Sequence, residues 1–157
     1  MSASEMVLVE REYDAPRTVV FRAWTDPEQL ARWRGSPGWH VETETVSADL
    51  RPGGHHHHVK VLDDEPAVRV ATDGVYLEYL DPEVLVSRER ITGDPEIDPD
   101  VPLELRVEFE LTGRGGTLVR IIQGPYEPHV AVWHAEGWER ELTRLAGYLD
   151  ASGAATA

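Results

Sequence analysis

The chain has 157 residues, no cysteine, and 29 acidic against 15 basic residues, for a formal net charge of −14. That length suits one compact domain and is short for two, the charge repels phosphate backbones and anionic lipid and so excludes sequence-independent nucleic-acid binding, and the lack of thiols excludes disulfides and thiolate metal sites. No apolar run approaches the roughly 18–20 residues needed to cross a bilayer, and "MSASEMVLVEREYD" lacks the basic start and apolar middle of a signal peptide, so no membrane association and a cytoplasmic location are expected.

In chain order, "MVLVEREYD" (6–14) places Val7, Val9 and Tyr13 on one parity and Glu10 and Glu12 on the other, the pattern of a half-buried strand. Pro16 then suits a first helical position, because its missing N–H would be unpaired there, and "RTVVFRAW" sets Val20, Phe21 and Trp24 on one helical face. A second short helix is predicted in "TDPEQLARW", with Asp26 as cap, Pro27 opening it, Gln29 at the capping-box position, and Leu30 and Trp33 sharing a face. "GSPG" (35–38) ends it.

From 40 to 124 the pattern is an antiparallel meander, its strands separated by turn chemistry at "RPGG" (51–54), "LDDEP" (62–66), "LDP" (80–82) and "GRGG" (113–116). The clearest strand is "LELRVEFEL" (103–111), apolar and charged residues alternating throughout. "GDPEIDPDVP" (93–102), rich in proline and acid, reads as a solvated loop. Between Pro128 and Asp150, Val130, His134, Trp138, Leu142, Leu145 and Leu149 recur at helical spacing, which predicts one long amphipathic helix. The reading is a single α+β domain over residues 1–150 and a flexible tail over 151–157.

Strand, two short helices, meander and long C-terminal helix is the element order of a helix-grip fold. The motifs "APRTVVFRAWTDPEQLARW", "DLRPGG", "GVYLEYLDPEVLV" and "EGWERELTRLAGYL" resemble successive signatures of the SRPBCC (START-like) superfamily, in the branch named after activators of the heat-shock-protein ATPase. The resemblance covers roughly residues 6 to 150. It implies a curved antiparallel sheet wrapped around the long helix, with a cavity between them for an apolar or amphipathic small molecule. It also implies two further function classes: a cyclase, hydratase or hydrolase, as some superfamily members are, and a chaperone-ATPase-activating partner, as the branch name says. Two departures stand out. Arg34 in "WRGSPGW" (33–39) replaces a second aromatic residue, and His55–His58 replace alternating polar and aromatic positions.

The four histidines open a strand after "RPGG", so they divide into the pair His55 and His57 and the pair His56 and His58, one pair inward. Continuing the parity through Val59 and Val61 turns His55 and His57 inward; aligning the glycines with the family signature turns His56 and His58 inward, the register adopted. His134, on the apolar stripe of the long helix, then completes a possible three-imidazole set, His56, His58 and His134, suited to zinc, nickel or copper. The plainer reading, imidazoles as amphipathic wall, outweighs it, since no paired CxxC or HExxH signature is present, and no cofactor is required. The same histidines can act as general acids or bases, with Glu78 to orient one, although Glu78 also reads as an outward strand residue. No nucleophile elbow or Ser-His-Asp spacing is present. The candidate ligand-binding residues are Trp24, Trp33, His56, His58, Phe109, Ile121, His134 and Trp138. Exposed hairpin edges make a homodimer plausible.

Overall fold

The structure, a computed structural model, describes residues 4–153. β1 (Glu5–Tyr13) buries Val7, Val9 and Tyr13. α1 (Arg17–Thr25) buries Val20, Phe21 and Trp24, with Pro16 as its extended N-cap rather than its first helical residue. α2 (Pro27–Trp33) starts as its sequence dictates: the Asp26 carboxylate accepts from the Glu28 N–H, and Gln29 donates to the same carboxylate. This bond stabilises the first turn by satisfying an N–H that has no intrahelical partner.

The meander consists of β2 (Trp39–Val41), a 3-10 turn at 43–45, β3 (Ser47–Ala48), β4 (His55–Leu62), β5 (Glu65–Leu80), β6 (Val84–Thr92), β7 (Leu103–Leu111) and β8 (Thr117–Tyr126). Neighbouring strands run β1-β8-β7-β6-β5-β4-β2, with β3 also on β4, and every pairing is antiparallel. Each neighbour from β4 to β8 follows in sequence, as short hairpin connections demand, and β1 closes against the last strand.

The curled sheet grips α3 (Pro128–Ala151), roughly 36 Å long. The helix turns Val130, Trp138, Leu142, Leu145 and Leu149 to the core. Two polar contacts fix its placement. The Tyr13 hydroxyl donates to the Leu142 carbonyl at 2.7 Å, and Arg144 donates to the carbonyls of Gly35 (3.0 Å) and Trp39 (2.8 Å). Among the described residues no helix is long and apolar enough to cross a membrane.

Two expectations change. The segment 93–102 is irregular, but it is more than a solvated loop: Ile97 packs against the core, and Asp94, Glu96 and Ile97 form part of a cavity wall. In the expected tail, Ala151 ends α3, and residues 154–157 lie outside the described residues.

Phe109 and Ile121 sit on adjacent strands in the closed core, 2% and 0% exposed, and Phe109 meets the Phe21 and Trp24 rings edge-on. Ile121→Ala is expected to lower unfolding stability by about 2–5 kcal/mol in urea denaturation, because a fully buried side chain leaves a cavity behind.

Candidate functional site

Register across three strands builds the site. His56 on β4 is paired with Gly74 on β5, and Gly74 with Glu89 on β6. Side chains in such a row point to one face of the sheet. Since Gly74 has none, the His56 ring and the Glu89 carboxylate close over it, with Nε2 and Oε2 3.7 Å apart. A Cβ at position 74 would collide with the His56 ring, so glycine here serves close approach. Tyr76 packs against the same imidazole, centroids 4.8 Å apart. His58, two residues along β4, is also inward and buried. His57 points the other way to Asp73 at 2.7 Å, and His55 is exposed.

From the opposite side, Arg34 enters at the C-terminal end of α2. Its guanidinium lies over the Trp138 ring, 4.6 Å from the centroid, and near Trp24 at 5.8 Å. Glu141 on α3 sits 3.2 Å from Nη1 but spends its nearer oxygen on the Gly35 N–H at 2.7 Å. Trp138 in turn donates to Gln123 at 2.8 Å. Three buried side-chain nitrogens have no directed hydrogen-bond partner among the described residues: Trp24 Nε1, Arg34 Nη1 and His56 Nε2. The 3.2 Å ion pair and the unpartnered Nη1 are compatible, because the attraction to Glu141 is not aligned as a hydrogen bond.

Two chambers share a wall at this point. The smaller, about 50 Å³, is lined by Trp24, Tyr76, His56 and apolar residues of β6 and β7. The larger, about 340 Å³, lies between the sheet and the first half of α3 and reaches the surface at the exposed Trp133. Arg34, His58 and Glu89 line both. Of the expected ligand-binding residues, Trp24 and His56 face the smaller chamber, His134 and Trp138 the larger, and His58 both. Trp33, Phe109 and Ile121 line neither. Trp33 is fully buried and donates to the Ala23 carbonyl, and the other two belong to the core. His134 stacks on Tyr126, centroids 4.5 Å apart, and is not gathered with His56 and His58. Among the described residues no three His, Cys, Asp or Glu side chains are grouped as a metal ion needs. Glu78 turns outward to Arg106 at 3.3 Å, beyond a bulge in β5 between Tyr76 and Glu78.

Residues 14–150 match the family model described as Activator of Hsp90 ATPase homolog 1-like protein. The chain belongs to this family. Solved structures share the fold. An AHSA1 protein from Silicibacter pomeroyi is 20% identical over 94% of this chain and 99% of its own, with a TM-score of 0.80. Protein CV1439 from Chromobacterium violaceum is 23% identical over 90% and 94%, with a TM-score of 0.79. CalU16 from Micromonospora echinospora is 22% identical over 95% and 86%, with a TM-score of 0.65. No curated protein matches the sequence.

In this family member the chamber walls hold strongly perturbed titratable groups. Burial pushes Glu89 up from 4.5 to about 7, against the opposing pull of Arg34 and the Ser87 hydroxyl. Burial and then the Arg34 charge bring His56 down to about 4 and hold His58 well below its ordinary range, so both rings are neutral at pH 7. His134 is lowered, also chiefly by burial.

Glu89, Arg34 and Glu141 were not among the sequence candidates. Glu89 had a signal: in "VLVSRERIT" it shares parity with Leu85 and Ile91, so an acid stands where a core residue belongs. Gly74, inside a strand, marked the close approach beside it.

The pH response follows with opposite signs. Glu89, raised in the folded state, contributes stability fully below about pH 4.5 that is lost as pH rises through about 7. His56, lowered, contributes stability above its ordinary 6.5 that is lost as pH falls towards about 4. Glu89→Gln is therefore expected to match the wild type at pH 4.5 and to exceed it by about 3 kcal/mol at pH 8, in paired urea denaturation series, since a rise from 4.5 to about 7 carries that free energy.

Proposed function

We propose that the protein binds a small amphipathic molecule in the two neighbouring chambers, the larger between sheet and α3 and the smaller between sheet and the two short helices. One observation carries this reading: the larger chamber, at about 340 Å³, falls within the roughly 300–1,000 Å³ range of ligand pockets, and its walls bury hydrogen-bonding and charged groups that a closed core would exclude. Arg34, His58, Glu89 and Gln123 are held there on strands and helix ends, beside Trp138, whose ring carries the Arg34 guanidinium and stacks on Trp24. The polar character of the wall favours an amphipathic ligand over a wholly apolar one.

A second reading, an acid–base enzyme, is favoured by the His56 and Glu89 pair. Two titratable groups 3.7 Å apart whose surroundings drive one down and the other up form an arrangement suited to moving a proton at neutral pH. The chaperone-ATPase reading rests on the family description alone.

The binding reading is tested with N-phenyl-1-naphthylamine, a neutral amphipathic dye whose fluorescence rises in apolar surroundings. Thr72 is buried in the wall of the larger chamber. Saturable binding near one dye per chain, weakened at least tenfold by Thr72→Phe with the circular dichroism spectrum unchanged, is expected. Absent binding, or equal binding by the filled variant, would contradict it.

A further inference from the structure

All three buried nitrogens without a directed partner among the described residues, on Trp24, Arg34 and His56, belong to residues lining the smaller chamber. Two of them, the indole and guanidinium N–H groups, can only donate. A buried donor left unsatisfied costs about 1–3 kcal/mol, so the chamber favours an oxygen acceptor. At about 50 Å³ it has room for about one or two waters or a group of similar size, and it shares Arg34, His58 and Glu89 with the wall of the larger chamber.

Charge decides which acceptor. Among the described residues Arg34 is the one lysine or arginine lining the smaller chamber, and it already has Glu141 at 3.2 Å, with the Glu89 carboxyl in the same wall; Lys60 lines the larger chamber only, over the Trp39 ring. Burial already disfavours the charged form of Glu89, and the same burial would weigh on any further anion placed beside it. His56 and His58, neutral at pH 7, add no compensating charge. A carboxylate or phosphate would bring a further buried negative charge to a chamber whose described lining holds no lysine or arginine besides the paired Arg34, whereas a neutral carbonyl oxygen accepts two hydrogen bonds and adds none.

We infer that the smaller chamber is a recognition subsite for a neutral carbonyl oxygen, so that the ligand is a ketone, aldehyde or quinone whose carbonyl sits between Trp24 Nε1 and Arg34 Nη1 while the rest of an amphipathic body extends past Arg34 into the larger, more polar chamber. This rests on the small-molecule reading above and names the ligand's chemical class. The imidazole of His56 and the carboxyl of Glu89 stand beside the bound carbonyl, and Trp138 flanks the body of the ligand.

Three probes of similar shape test it: 2-acetylnaphthalene, 2-naphthoate and 2-ethylnaphthalene, each titrated by calorimetry into the full chain at pH 7.5. The ketone should bind at least tenfold more tightly than both the hydrocarbon and the carboxylate. Its carbonyl stretch should shift to lower wavenumber on binding, as hydrogen bonding to two donors requires. Trp24→Phe, which keeps an aromatic ring but removes the N–H, should cut the ketone's advantage over the hydrocarbon about five- to tenfold. Arg34→Lys, which keeps the charge but loses the planar fork, should cut it as well, so the inference does not hang on one variant's folding. Equal binding of ketone and hydrocarbon would overturn the carbonyl inference and leave the cavity reading standing. Tighter binding of naphthoate would overturn it in favour of an anion site. Binding of none of the three would overturn both.

Discussion

The arrangement turns on one buried cation. Arg34 leaves the end of α2 and lies between the Trp138 face and the Glu141 carboxylate, linking the short helices to the long one in the wall that the two chambers share. A guanidinium can be held there because its flat faces stack on indole while its edge meets an acid. Removing one partner of such a buried pair typically costs about 3–5 kcal/mol, chiefly because the other charge is left uncompensated. The same guanidinium depresses the neighbouring histidines and partly offsets the burial of Glu89. Helix packing and site electrostatics thus depend on the same residue.

The second constraint is the row His56, Gly74, Glu89. Antiparallel register brings the three together, and the missing side chain at Gly74 lets an imidazole and a carboxylate meet across two strands. This is how the inner face of the sheet comes to carry polar groups without losing its strands. Polar atoms with no partner inside a fold are costly, and here they gather around one small chamber instead of being scattered through the core.

Much of the fold was legible in the sequence because each element carries a local signal. Asp26 and Pro27 mark the start of α2, the alternation in "LELRVEFEL" marks β7, and the spacing from Val130 to Leu149 marks α3. The resemblance of the motifs to the family extended this to topology. The site was legible only in part. Val59 and Val61 are buried although His58 is also buried, so β4 is covered on both faces and its hydrophobic period no longer tells inside from outside. The register came instead from the turn glycines. Arg34 stood out as a departure from the family pattern, but nothing local shows that its partner lies on α3, more than a hundred residues away. His134 lies on the α3 stripe, yet its ring stacks on Tyr126 and leaves the other histidines apart, a contact that no spacing rule encodes. Phe109 and Ile121 looked like cavity wall because they are apolar and inward, and the same properties place them in the closed core.

The proposed ligand enters between sheet and α3 and presents an oxygen to Trp24 and Arg34. Five tryptophans make this directly observable through indole N–H resonances in nitrogen-15 NMR. Trp33 and Trp138 already donate to Ala23 and Gln123, whereas Trp24 Nε1 has no partner among the described residues. On addition of 2-acetylnaphthalene the Trp24 indole proton should show the largest downfield shift of the five, saturating with the binding isotherm. A titration in which Trp24 stays fixed while only the exposed Trp133 and the half-buried Trp39 respond would place the ligand at the rim and contradict the account.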